Sequence, residues 1–311
     1  MPSGSRKLVM PSGKPTVAKP NQRMDSSTDR VLSILDLFTE DQPLWTTDLL
    51  IDRLGVARAT MYRYLRALVE TGFLSPDGGG AYSLGPRFIE MDRQIRFADP
   101  LLQVAPEVME KIRPALGGDQ LLCRFYGLRV LSIYVDKTDP RIKSSFDRGR
   151  PFPLFLGAPS RIILANLRMQ QLQRLFLHHP HDIAGAGLGQ NWMEFRENMR
   201  VVSKRGYAVA SDIDKTLVGI SAPIFLPSGD VTASLCLVRL RKEVSEAELE
   251  PLGEMAKQAA AEITHRLRKP LRAVLSRTPK KPPGAETQKG GTRRSAEMPA
   301  VRRAAGRRAL V

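Results

Sequence analysis

Apolar residues along the first ninety positions return every three or four residues, the period of a helix packed on one side. In DRVLSILDLF (29–38), Val31, Ile34, Leu35 and Phe38 share a face, and Ser26, Ser27, Thr28 and Asp29 are residues that cap helices. In LWTTDLLIDRLGV (44–56), Leu50 and Leu54 repeat at four, Thr46 or Thr47 can cap, and Gly55 supplies a common helix terminator. In GVARATMYRYLRALVETGFL (55–74), Met61, Leu65 and Leu68 form an apolar stripe. Arg58, Tyr62 and Arg66 form a second stripe, Arg63 lies beside it, and no acid occurs from 58 to 66. Two helices joined through Gly55, Val56 and Ala57 predict a helix-turn-helix, whose second helix enters a DNA major groove. The period then shortens: 73–75 and 81–84 can pair as a hairpin across 77–80, which makes the unit a winged helix.

Helical spacing resumes in 84–100 with Phe88, Met91 and Ile95, a candidate linker helix that can also pair with a second subunit. A further helix is expected from Val104, with Pro106 in its first turn. QLLCRFYGLRVLSIYV (120–135) reads as two strands around Gly127, and strands recur at 222–226 and 231–240, joined by PSGD. Helices are expected at 158–168, 191–205 and 245–268. Strands and helices mix without strict alternation, so the second half is read as an α+β domain. Two stretches stand out within it. FPLFLGAPSRIILANL (152–167) runs a small-residue loop into a helix N-terminus, where free N–H groups favour an anion. GYAVASDIDKTLVGISAPIF (206–225) places Asp212, Gly219, Ile220 and Ser221 in a glycine-broken segment ahead of a strand.

The chain has 311 residues and a net charge of +16. The excess is concentrated: 1–24 holds five cations and no acid, and 269–311 holds twelve cations against two acids, which leaves the body nearly neutral. Both ends are rich in Pro, Gly, Ser and Ala and lack apolar periodicity, so they are expected to be disordered basic tails. Residues 25–95 carry eleven acids and seven arginines, and three of those arginines fall in 58–66. An acidic unit with one basic surface suits directed docking on DNA. Arg58 can reach a guanine edge, and Thr60, Tyr62, Arg63 and Arg66 can reach phosphates or bases. Cys123 and Cys236, inside apolar runs, read as small hydrophobes in a reducing compartment. With no apolar run of about 18 residues and no leader-like start, a cytoplasmic protein that does not enter membranes is expected.

Taken in order, DRVLSILDLF, LGVARATMYRYLRALVETGFL, AYSLGPRF, PLFLGAPSRIILANL, RGYAV and VGISAPIFLPSGDVTASLCLV resemble the IclR-type bacterial transcriptional regulators. The resemblance spans roughly 29–268. It implies a winged helix at 25–86 that binds double-stranded operator DNA, a linker helix at 87–100, and a GAF-like domain at 101–268 that binds a small effector, often a carboxylate or aromatic acid. It also implies a homodimer or homotetramer, with no cofactor, metal or catalytic residue. The DNA-contacting set is then Thr46, Thr47, Arg58, Ala59, Thr60, Tyr62, Arg63, Arg66, Gly79 and Tyr82. By motif position, effector contacts fall on Leu156, Gly157, Ala158, Ser160, Asp212, Gly219, Ile220 and Ser221. Many members carry Cys in place of Gly219 and His in place of Phe155, so the pocket here is expected to differ from theirs.

Two other readings compete. An enzyme on the same scaffold would draw on His178, His179 and His181 in HHPH, but no acid or cysteine stands at a metal-ligand spacing, and a solvated loop is the expectation there. A protein-interaction module would use the winged helix without reading DNA.

Overall fold

The computed structural model describes residues 26–143 and 146–268; both basic tails lie outside the described residues. Helix α1 (Ser27–Leu35) starts under a reciprocal cap: Ser26 Oγ accepts from the Asp29 N–H at 3.1 Å, and the Asp29 carboxylate accepts from the Ser26 N–H. The helix therefore begins earlier than the apolar stripe and stops short of Phe38, which packs against the same core from the turn that follows. Strand β1 (Trp45–Thr46) leads into α2 (Thr47–Leu54), where Thr46 is the cap and Gly55, at φ +62°, the left-handed terminator. Helix α3 (Arg58–Glu70) follows after two residues. Its buried stripe of Met61, Leu65 and Leu68 meets Ile34, Leu50 and Leu74. Strands β2 (Leu74–Pro76) and β3 (Ala81–Leu84) form the wing, and the small sheet has the order β1-β3-β2.

Gly85 closes this unit. A Cβ there would sit 2.2 Å from the Gly72 carbonyl oxygen, so only glycine lets the wing end pass so near the α3 terminus. The contact is fixed by Gly85 N–H donating to Phe73 O and Arg87 N–H donating to Gly72 O. The next residues wind into α4 (Arg87–Ala98), which buries none of its side chains.

Helix α5 (Pro100–Leu116) begins one turn before the expected Val104. Asp99 accepts from the Leu101 N–H at 3.0 Å, and Pro100 at the first helical position is a stronger start signal than Pro106, which lies inside the helix. A six-stranded antiparallel sheet follows, made of β4 (Asp119–Tyr126), β5 (Arg129–Asp136), β6 (Pro151–Phe152), β7 (Ala208–Ala210), β8 (Leu217–Phe225) and β9 (Val231–Leu240). Its order is β6-β5-β4-β9-β8-β7. One face packs on α5 and α10 (Glu246–Arg268), through Leu122, Val218, Ile220, Leu235 and Leu237 against Met109, Leu116, Ala256 and Ile263. The other face carries Leu121, Cys123, Cys236 and Val238 and is partly covered by α6 (Ala158–Ala165) through Ile163. Beyond it, α7 (Met169–His178), α8 (Pro180–Gly185) and α9 (Trp192–Arg205) bury Leu172, Leu175, Ile183, Phe195 and Met199 together. The α+β class is as expected, with the winged helix ahead of it.

Two expectations are corrected. Gly219, Ile220 and Ser221 lie inside β8, not ahead of a strand, because the strand starts at Leu217. There Gly219 pairs with Val238 on one side and Ala210 on the other, so the ladder offsets what glycine costs in strand propensity. The HHPH stretch is not a loop either. Pro180 opens α8, so His178 ends one helix and His181 sits in the next, while His179 Nδ1 lies 3.2 Å from Asp182. Among the described residues no helix is long and apolar enough to cross a membrane.

Candidate nucleic-acid interface and ligand cleft

On α3, Ala59, Tyr62, Arg63 and Arg66 are exposed, opposite the stripe that meets the core. Arg63 lies 5.7 Å over the Tyr64 ring, and neither Arg63 nor Arg66 makes an ion pair among the described residues. Arg58 is held differently. Its Nη2 lies 2.5 Å from Asp48 Oδ1 across the turn, and both side chains are exposed. The Asp48 charge, then the Tyr62 hydroxyl, raises its pKa above the ordinary arginine value. Thr60 is half-buried. Thr46 caps α2 by accepting from the Leu49 N–H at 3.4 Å, and Thr47 is buried. Gly79 stands at the wing tip with φ +72°, and half-buried Tyr82 pairs with Trp45 across the sheet. Asp48 was missed by sequence reasoning, although an acid in the first turn of α2, ten residues ahead of Arg58, was its available signal.

In the second domain a narrow cleft opens between the sheet and α6. It brings together four of the expected residues: Gly157, Ala158, Asp212 and Gly219. The other four serve elsewhere. Ile220 points to the opposite face of the sheet, because successive strand residues alternate, and is fully buried with Leu237. Ser221 Oγ donates to the Leu235 carbonyl at 3.0 Å, Ser160 Oγ donates to the Pro153 carbonyl at 2.8 Å, and Leu156 is not among the lining residues. Phe155, where relatives were expected to carry His, packs with Leu164, Leu172 and Phe195, and His179 lies 5.6 Å from its ring. Phe146, Phe152, Cys236 and Val238 line the cleft and were not foreseen. Strand parity was the usable signal for the last two, since Val238 pairs with Gly219 and Cys236 is two residues before it.

The polar end of the cleft is occupied by the chain's own carboxylate. Asp212 Oδ1 accepts from the Gly157 N–H at 3.0 Å, at the start of α6, and Oδ2 lies 2.7 Å from Arg161 Nη2. At the start of α6, where an anion was expected, the chain's own aspartate accepts from the Gly157 N–H, with its charge balanced by Arg161. On the apolar side, burial pushes the Cys236 thiol up to about 12 and raises Cys123 as well. An ordinary thiol titrates near ~8.5, so folding holds both as unreactive S–H at neutral pH. Native full-length protein at pH 8 is expected to resist iodoacetamide at both positions, while denatured protein takes two labels by mass spectrometry. At pH 8 and at pH 9 native labelling should stay far slower than labelling of the denatured chain; rapid native labelling of Cys236 would contradict this.

Residues 27–78 match the IclR helix-turn-helix domain model, and residues 99–265 match the model of the bacterial transcriptional regulator IclR C-terminal domain. The chain belongs to the IclR family. It is a DNA-binding transcriptional regulator, and its family is not one of enzymes. Among curated relatives, the HTH-type transcriptional regulator KipR of Bacillus subtilis is 27% identical over 250 residues, covering 79% of this chain and 98% of its own. XynR of Escherichia coli is 23% identical over 246 residues, with 78% and 96% covered. Among solved structures, an IclR homolog from Microbacterium hydrocarbonoxydans complexed with 4-hydroxybenzoate superposes with a TM-score of 0.65 at 23% identity, covering 78% of this chain and 99% of its own. An IclR-type regulator from Alicyclobacillus acidocaldarius gives 0.64 at 20%, with 78% and 98% covered. At these identities the two structures establish the fold.

Proposed function

We propose that this IclR-family regulator reads operator DNA as a homodimer through α3, and that a small carboxylate or aromatic acid bound in the cleft sets its DNA affinity. The observation that carries the proposal is the solvent face of α3. It presents Arg63, Arg66 and Tyr62 with no ion-pair partner for either arginine among the described residues, on a unit whose net charge is otherwise acidic. Arg58, Ala59 and Thr60 lie at the helix start where base edges are read, Thr46 at the start of α2, and Gly79 and Tyr82 on the wing; the buried side chain of Thr47 leaves it out of this set. Two such units in a dimer meet half-sites about 34 Å apart or more.

Support for the dimer comes from α4, where Ile89 is 75% exposed, Phe97 67% and Ile95 52%. Ile89 and Phe97, eight residues apart, share one side of the helix. Such a surface is expected to be covered in solution. Replacing both by aspartate should shift the protein from dimer to monomer mass in sedimentation, with unchanged helix content. A monomeric parent would contradict this.

Within the cleft, Gly157, Ala158, Asp212 and Gly219 are the effector contacts proposed. A ligand carboxylate competes with Asp212 for the Gly157 N–H, and Arg161 retains the displaced aspartate. Gly219 keeps room for the body of the ligand: a Cβ there would stand 3.4 Å from Cys236 Sγ and 3.5 Å from Ala158 Cβ. The Microbacterium relative, bound to 4-hydroxybenzoate, makes that acid the first probe, with pyruvate as the small one. Calorimetric titration into the full chain should show saturable binding of one of them, abolished by Gly219→Met. Heats that are equal in the parent and the variant would remove this cleft as the site.

A further inference from the structure

The cleft and the linker helix are joined by one short stretch of chain, residues 146–150. Phe146 stacks on Phe152 with ring centroids 4.0 Å apart and planes at 12°, and both rings line the cleft. Two residues later, Arg148 leaves the cleft and grips α4. Its Nε and Nη2 donate to Asp92 Oδ1 at 3.0 and 2.6 Å, and its Nη1 donates to the Ile133 carbonyl on β5. Asp92 Oδ2 accepts from Arg96 at 2.7 Å. Behind Arg148, the stretch is pinned to β5: Gly149 N–H donates to Ser132 O at 2.8 Å, and Ser132 N–H donates to Arg150 O at 3.1 Å. Arg150 then reaches Glu40 of the winged-helix unit at 3.4 Å. Among the described residues, these are the two ion pairs that tie residues 27–98 to the effector domain beyond residue 100.

We propose that Arg148 and Asp92 are the positioning pair through which the state of the cleft reaches the DNA-binding half; this rests on the cleft being the ligand site. A group that fills the cleft displaces Phe146, and the displacement reaches Arg148 across a single intervening residue. Two nitrogens share one carboxylate oxygen, so a shift of about 1 Å takes both out of hydrogen-bond range. Helix α4 then loses its ion pair to the effector domain; it buries none of its own side chains, and its other ties lie near its ends, where Phe88 meets Phe73 edge-on and the Phe97 carbonyl accepts from Gln103. Coupling requires two arrangements; the structure holds the first, with the pair made, and the second, with the pair broken, is the one proposed for the filled cleft. Asp92 behaves as a gripped group: hydrogen bonding from Arg148, more than from Arg96, holds its carboxyl below the ordinary carboxylate range.

The test needs no identified effector. Gly219→Met in the full chain places a side chain in the cleft and acts as a built-in occupant; Gly219→Ala is the smaller variant if the first does not fold. Hydrogen exchange over 87–98 is then compared in the parent, Gly219→Met, Arg148→Ala and the double variant. Filling the cleft is expected to speed α4 exchange about two- to fivefold, roughly what a partly exposed ion pair is worth. Arg148→Ala alone should do the same, the double variant no more, and Arg148→Lys should fall between the parent and Arg148→Ala. Equal acceleration by Gly219→Met with and without Arg148, or none in either, overturns the proposal. DNA affinity measured on the same proteins separates the two claims. If Gly219→Met alters affinity but not α4 exchange, Arg148 is not the route and the cleft remains the control site. If it alters neither, both fall.

Discussion

Replacing Arg63 and Arg66 together by alanine is expected to weaken DNA binding about a hundredfold or more and to leave thermal stability unchanged. Each arginine in a base or phosphate contact contributes about 1–3 kcal/mol to recognition. Neither contributes to the core, because both face solvent from the side of α3 opposite Met61, Leu65 and Leu68. Alanine is also the better helix former, so α3 itself is not weakened. The two kinds of contact leave different signatures. A lost phosphate contact weakens all sequences alike and lowers the salt slope by about one, whereas a lost base contact reduces discrimination. Arg58 is a less direct probe, because its removal frees Asp48, an acid 2.5 Å away, to repel DNA. Asp48→Ala should therefore strengthen binding, and Arg58→Ala should cost more in a protein that retains Asp48 than in one that lacks it. Melting curves together with fluorescence titration on a duplex check all of these.

The second large effect falls on stability, at the junction of linker and effector domain. Asp99 is 7% exposed and serves twice: it accepts from the Leu101 N–H to start α5, and it pairs with Arg124 on β4, whose side chain is 24% exposed. Removing one member of a buried pair leaves the other charge uncompensated and costs ~3–5 kcal/mol, against ~0.5–2 kcal/mol for a lost helix cap. Partial exposure of Arg124 puts Asp99→Ala near the lower end of the first range. Asp99→Asn keeps an acceptor for the cap, so it should recover part of the loss. Arg124→Leu placed in the Asp99→Asn background should recover more, because no orphaned charge is left. Denaturant unfolding of the full chain, followed through the effector-domain transition, gives these differences. Equal stability of Asp99→Ala and the parent would mean that the pair contributes nothing.

The sequence carried the winged helix almost whole, because each of its signals is local. Gly55 ends α2, Met61, Leu65 and Leu68 mark the core side of α3, and 77–80 turns the wing. In the second domain local signals misplace boundaries where two compete, as Pro106 did against Asp99-Pro100 at the start of α5. They are silent on sheet order, since β4 lies between β5 and β9, far apart in sequence. The cleft was legible as two loops but not as a surface. Gly219 and Ile220 are neighbours, and only the assembled sheet shows that the first faces the cleft and the second the core. Asp212 was foreseen as a contact residue; that it occupies the start of α6 itself depends on a 55-residue separation in the chain. Arg148 carried no sequence signal, because its partner Asp92 lies 56 residues earlier on a helix defined only by apolar spacing.

The most direct test of the central claim is titration of the full chain against DNA from the region upstream of its own gene and against unrelated DNA, at two salt concentrations. Sequence-specific regulators favour their sites by about a thousandfold or more over other DNA. The expected result is one fragment bound with that preference, and a preference that disappears in the Arg63→Ala/Arg66→Ala protein. Equal, strongly salt-dependent binding to every fragment, untouched by those two substitutions, would contradict the account. The cations of 1–24 and 269–311 would then be the DNA contact, and α3 would not be the reader.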